Sequence, residues 1–158
     1  MDLGGTTGTV KTDTEPKLLS FNGLEVATLI CYESVFGGYV TEIVKKGAQM
    51  IFVITNDGWW GDTPGYQQHL EMSQLRAIET RRSIARSANT GVSCFINQRG
   101  DIMQKTDYNT HAALRNTLKT NDKQTFYVCY GDYIYKIAVF LTVMVSVITL
   151  VRIITKRK

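Results

Sequence analysis

One stretch near the C-terminus constrains this chain of 158 residues more than any other. Residues 137–151 read IAVFLTVMVSVITLV, fifteen positions without a charge. Extended to residues 134–154 the run has 21 positions, with Lys136 and Arg152 near its two ends. As an α-helix it is roughly 31 Å long, about the hydrocarbon thickness of a bilayer. Long basic side chains near such ends snorkel to the headgroups. Tyr127, Tyr130, Tyr133 and Tyr135 precede or open the run, as an interfacial aromatic belt does. The expectation is a transmembrane helix over 133–155. A buried strand or core helix is the rival reading, and the length and flanks of the run favour the membrane.

Charge gives this helix a direction. The chain has 18 Lys and Arg against 14 Asp and Glu, but Arg152, Lys156, Arg157 and Lys158 lie in the last seven positions. The rest of the chain is formally neutral. The basic excess belongs to a short tail, 156–158 with Arg152, and not to a face. A nucleic-acid partner is therefore not expected. By the positive-inside rule the tail is cytoplasmic and residues 1–130 lie on the other side. Residues 1–20 are polar and hold no signal-peptide core. An exported domain without an export signal leads to the expectation that membrane segments stand upstream, in a longer protein. Two prolines, 44% hydrophobic and 20% charged residues exclude wholesale disorder. Three cysteines make no disulfide framework, and none is spaced Cys-x-x-Cys for redox work.

Residues 1–19 are expected as a loop or truncated start, rich in Gly, Thr and charge. Asn22-Gly23 marks a hairpin tip. Residues 24–30 (LEVATLI) read as a strand and 36–46 as a helix closing at Gly47. Residues 49–55 (QMIFVIT) read as a second buried strand. Strand, helix and strand in that order imply a βαβ unit with parallel strands. A turn-rich loop over 56–65 carries both tryptophans, Trp59 and Trp60. A helix is expected over 64–86, opened by Pro64. Residues 92–96 and 102–105 are expected strands around a turn at 97–101, and 112–119 and 125–129 are further candidates. The class is α/β.

Cys31 stands directly after a buried strand and ahead of a helix. A thiol on such a turn is exposed and near a helix's positive end, which favours the nucleophilic thiolate. The neighbouring N–H groups suit an oxyanion. The arrangement is that of a nucleophile elbow with sulfur in place of a hydroxyl. By position alone the alternative, a small buried structural residue, stays open. Cys94, mid-strand, and Cys129, beside the membrane run, are read as structural.

Ile30-Cys31-Tyr32-Glu33, followed by Asn56-Asp57-Gly58-Trp59-Trp60-Gly61, resembles the carbon–nitrogen hydrolase (nitrilase) superfamily. It is most similar to the membrane branch, the apolipoprotein N-acyltransferases. Gln68-His69, residues 76–79 (RAIE), 86–91 (RSANTG) and 98–101 (QRGD) follow the same pattern in the same order. The likeness covers residues 20–105. It implies part of a nitrilase-like αββα sandwich over 20–130, followed by one C-terminal transmembrane helix. The implied site is the bacterial inner membrane, with the sandwich facing the periplasm. The implied chemistry is acyl transfer from a phospholipid donor, through a thioester on Cys31, to the N-terminal amine of a diacylglyceryl-cysteine lipoprotein. Tyr32 and Glu33 are the implied active-site companions of Cys31, and Trp59 and Trp60 the implied substrate contacts.

The family's other catalytic groups, a Glu base and a Lys, precede its cysteine by more residues than stand before Cys31. Lys11, Lys17, Glu15 and Glu25 match no family motif. The chain is thus read as the C-terminal portion of such an enzyme, inactive by itself.

Several residues keep plainer readings. Glu33 also suits a capping acid, and Trp60 a loop anchor. Asn56 and Asp57 are expected to hold the loop through side chain–backbone bonds. A Cys31–His69–Asp57 triad is disfavoured, since the family uses no His base. His69 and His111 lie 42 positions apart, so no metal is expected, and no cofactor. Arg76, Arg81, Arg82 and Arg86 are read as a solvated helix face, with headgroup contact as the alternative. A membrane-anchored amidase and a non-catalytic lipid- or partner-binding module remain the rival functions.

Overall fold

The computed structural model describes Glu15 and residues 17–156. The opening segment, but for those two positions and the start of β1, and Arg157 and Lys158 of the basic tail, lie outside the described residues. Six strands form one sheet in sequence order: β1 (Leu18–Phe21), β2 (Leu24–Ile30), β3 (Met50–Thr55), β4 (Ile84–Ala88), β5 (Cys94–Ile96) and β6 (Ile102–Lys105). β1 and β2 form a hairpin through Asn22 and Gly23, whose φ values of 49° and 78° suit a two-residue turn with left-handed centres. The strand begins at Leu18, so Leu18 and Leu19 leave the loop expected over 1–19.

β2, β3 and β4 are parallel, and β4, β5 and β6 antiparallel. The expected βαβ unit is present, with α1 (Gly37–Lys45) between β2 and β3. Helices α1 and α2 (Pro64–Thr80) cover one face of the sheet. Val40, Ile43 and Val44 of α1 and Leu70 and Ala77 of α2 pack there on Ala27, Leu29, Ile51, Val53 and Ile84. Each Val, Leu or Ile side chain so removed from water is worth about 1.5–3 kcal/mol. The period-2 alternation sends the intervening residues to the other face, where no layer among the described residues covers Phe52 and Ile54 (38% and 54% exposed). The described residues thus build one sheet and one helix layer, an αβ half of a sandwich.

The reading fails in three places. α2 ends at Thr80, not at residue 86. Arg81 takes a left-handed conformation (φ 52°, ψ 38°) and stops the helix without Gly or Pro. Ser83 then enters the sheet, and Ile84–Ala88 becomes β4. Residues 112–119 are not a strand. They run irregularly, tied by Ser83 Oγ and Gln98 Nε2 to the carbonyl of Lys119. Residues 125–129 are not a strand either; Phe126–Tyr130 is a short helix, α3, capped by the Thr125 hydroxyl.

The last element, α4 (Tyr133–Lys156), has 24 residues and is long and apolar enough to cross a membrane. None of it is buried against the domain. Its hydroxyls turn inward: Thr142, Ser146, Thr149 and Thr155 each donate to the carbonyl four residues back at 2.8 Å. Polar groups in an apolar medium require such internal partners.

Candidate active site

Cys31 ends the central part of the fold. β2 delivers it to the edge of the parallel strands, and its φ of 52° lies in the left-handed region. A non-glycine residue costs roughly 1–2 kcal/mol there, a strain that gathers at functional turns. A 3-10 turn over Cys31–Val35 follows, and α1 begins only at Gly37. The thiol is half-buried, whereas Cys94 is fully buried and Cys129 exposed. Burial pushes the Cys94 thiol up to about 11, against a smaller opposing pull from Arg86 and Lys105. Cys94 is therefore a neutral core residue.

The predicted companions gather unevenly. Glu33 accepts the Ile30 N–H at 2.7 Å and so braces the elbow across its own turn. It also borders a cavity of about 690 Å³ with Phe36, Tyr39, Tyr127 and Asp132. Tyr32 is half-exposed above Trp60 and His69, with ring centroids 6.4 and 6.0 Å away. Trp60 lies tilted against His69, with ring centroids 5.4 Å apart. Gly65 makes room for this ring, since a Cβ there would come 2.6 Å from Trp60 Cδ1. Trp59 does not join the cluster and is 72% exposed.

Beneath the elbow lies a charged network that the sequence reading did not assemble. Asp57, His69 and Arg86 are all at least 97% buried. Arg86 Nη2 donates to Asp57 Oδ2 at 2.6 Å, and His69 Nδ1 meets Asp57 Oδ1 at 2.9 Å. Burial alone would raise the Asp57 carboxyl. The His69 hydrogen bond and the Arg86 guanidinium outweigh it and hold the group below the usual carboxylate range. Gly91 has to be a glycine here. Its φ is 131°, and a Cβ would come within 2.5 Å of Asp57 Oδ2. Asn56, as expected, shapes the loop by accepting the Gly58 N–H, but Asp57 does not.

The triad geometry is absent. His69 Nε2 lies 3.2 Å from the Cys31 carbonyl oxygen and 3.1 Å from Ser34 Oγ, not at the sulfur. The sulfur meets Thr55 Oγ1 instead, at 3.4 Å. Nor do the arginines form a solvated or headgroup-facing row. Arg76, Arg82 and Arg86 are buried, with Arg81 alone exposed. Arg76 pairs with Glu79 three residues on, at 3.1 Å. Arg82 donates to the carbonyls of Ala48, Thr80 and Lys123 and clamps three segments together. The signal for Arg86 was its place in an apolar strand, which a helix reading hides.

The arrangement offers a half-buried sulfur on a strained turn, an aromatic wall, and a buried, fixed charge pair behind it. The carbon–nitrogen hydrolase pattern matches residues 6–122. The chain is 35% identical to the apolipoprotein N-acyltransferase of Chlorobaculum tepidum over 82% of its length, and 39% identical to that of Nitrosomonas europaea over 72%. It spans about a quarter of the length of these relatives (24% and 23%). Among solved structures, an amidase from Nesterenkonia sp. superposes with a TM-score of 0.57 at 18% identity, over 80% of this chain and 48% of that one. A variant of the Nesterenkonia sp. AN1 amidase, with the acetamide moiety of fluoroacetamide added covalently at its active-site cysteine, gives 0.53 at 22% identity. It covers 63% of this chain and 40% of its own. At those identities the likeness speaks for the fold.

Proposed function

The chain belongs to the carbon–nitrogen hydrolase family, and from that membership we propose that it is the cysteine-bearing part of a membrane-held N-acyltransferase. The carrying observation is Cys31 itself, half-buried and left-handed at the end of a parallel strand. Its sulfur attacks the ester carbonyl of a phospholipid. The acyl–oxygen bond breaks, and the lysophospholipid leaves with the proton. The amine of a diacylglyceryl-cysteine lipoprotein then attacks the thioester, and the thiol is restored. A thioester holds an acyl chain in a form that amines accept readily.

The other site residues follow from their surroundings. Glu33 braces the elbow through the Ile30 N–H. Tyr32 and Trp60 form an aromatic wall beside the sulfur's turn, and exposed Trp59 meets the acyl chain or the membrane surface. α4 anchors the domain beside two lipid substrates, with its basic end in the cytoplasm and the sheet in the periplasm. The open face of the sheet supports a further reading: the family's second sheet, with its Glu base and Lys, comes from chain beyond these residues. Loss of a general base alone costs about 10²–10⁴ in rate, so this part by itself turns over slowly or not at all.

The test supplies the complete enzyme with a phospholipid whose acyl chain is isotopically labelled, and reads the Cys31 peptide by mass spectrometry. A labelled acyl group on Cys31, released by neutral hydroxylamine and absent in Cys31→Ser, is the expected result. No adduct in the wild-type enzyme overturns the proposal. A small acyl group taken from an amide, with none from phospholipid, makes the protein an amidase.

A further inference from the structure

Thr55 is the last residue of β3 and sits against the elbow, 5% exposed. Among the described residues it is the one hydrogen-bond partner of the Cys31 sulfur, at 3.4 Å. The same oxygen lies 3.0 Å from Asp57 Oδ1. A hydroxyl has one proton to give and lone pairs to accept with. Asp57 takes less from that proton than from its other partners. Its Oδ1 is met by His69 Nδ1 and its Oδ2 receives Arg86 Nη2. The carboxylate is therefore satisfied and fixed, and the Thr55 proton is free to turn toward the sulfur when the sulfur carries charge.

We propose that Thr55 is a catalytic residue, whose hydroxyl donates to the Cys31 thiolate and stabilises it from the strand side. Asp57 is the positioning residue that holds this hydroxyl in place. With the thiol protonated, S–H donates to Thr55 Oγ1 and Thr55 donates to Asp57. On ionisation the proton of the sulfur departs to the base, and Thr55 turns its own proton to sulfur. No atom is lost from the network. A hydrogen bond to a charged acceptor is worth more than a neutral one, so the exchange favours the ionised sulfur. The charged and titratable groups around this sulfur come from four elements. They are Tyr32 and Glu33 on its own turn, Asp57 after β3, His69 on α2 and Arg86 on β4. All of them are retained when Thr55 alone is changed.

This inference rests on Cys31 being the nucleophile, and one experiment separates the two. The full chain in detergent is treated with iodoacetamide across a pH series, and each cysteine is followed by its own peptide. Wild-type Cys31 reacting no faster per exposed sulfur than Cys129 overturns the nucleophile reading. Given a fast Cys31, Thr55→Val is expected to slow its alkylation about tenfold at pH 7.5 and less than twofold at pH 10. Thr55→Ser restores the wild-type profile. A Thr55→Val profile that matches wild type, or falls equally at both pH values, overturns the role of Thr55. Thr55→Ala, which removes the hydroxyl without overpacking, gives the same comparison if the valine variant does not fold.

Discussion

The two faces of one sheet have been put to opposite uses. On the helix side, Ile51 and Val53 of β3 are sealed under α1 and α2, and Asp57 continues that side into the charge network beneath Cys31. On the other side, Phe52 and Ile54 of the same strand stand in the open with Phe95 and Leu114 around a cavity of about 510 Å³. Parallel strands of this kind are built to be covered on both faces. The difference teaches where each half of the protein's work is done. The helix side is sealed and holds the Cys31 turn in place. The open side is left apolar and uncovered among the described residues, and a face of this sort invites aggregation.

The sharpest way to break this contrast is to unpair the buried charge. Arg86→Met removes the guanidinium and leaves Asp57 ionised among apolar neighbours, supported by His69 and Thr55 alone. Breaking a buried pair by deleting one partner costs about 3–5 kcal/mol. The expected loss of that size would be read by urea denaturation of the chain in detergent. A cost below about 1 kcal/mol would mean that the network is wet and the helix side less sealed than described.

A matched pair on β3 comes next. Ile51 is fully buried on the helix side, and Ile54 is 54% exposed on the open side. Ile51→Ala is expected to cost about 3 kcal/mol and Ile54→Ala less than about 1 kcal/mol, by the same denaturation measurement. Equal costs would show that the open face is already covered, by another copy or another segment. If a second sheet covers this face, the cost at Ile54 should rise toward that at Ile51.

The same contrast explains which parts were legible beforehand. The residues of β2 and β3 announced themselves as short apolar runs, and the Asn22-Gly23 turn, α1 and α4 by local pattern and length. Cys31, Tyr32 and Glu33 are consecutive, so one turn brings them together. Thr55, Asp57, His69 and Arg86 come from three elements and the loop between two of them, and no local pattern joins them. Their assembly depended on the end of α2. Arg81 stops that helix by adopting a left-handed conformation with no glycine or proline to mark it. Read as helix through residue 86, Arg82 and Arg86 fall on a polar face. Read as strand, Arg86 alternates with Ile84 into the core, opposite Val53. One misplaced boundary turned two buried structural arginines into surface ones.

The smallest effect probes how dry the helix side is. Cys94 follows Arg86 across β4 and β5 and faces the same core. Its thiol is pushed up by burial from an ordinary value of 9.0 to about 11. The unfolded chain therefore releases this proton first as pH rises. The contribution is fully present below pH 9 and is lost as the pH climbs, by up to about 1.4 kcal/mol per unit, on the order of 2 kcal/mol of it between pH 9 and 11. Tyr39 and Tyr127 are also raised by burial and would obscure a single curve. Comparison with Cys94→Ala removes them, since both proteins share these tyrosines. The alanine variant is expected to be less stable at neutral pH but to lose about 2 kcal/mol less between pH 9 and 11. Parallel curves would mean that water reaches the sulfur. The sealed face, and with it the fixed Asp57–Arg86 pair beneath the elbow, would then need to be redrawn.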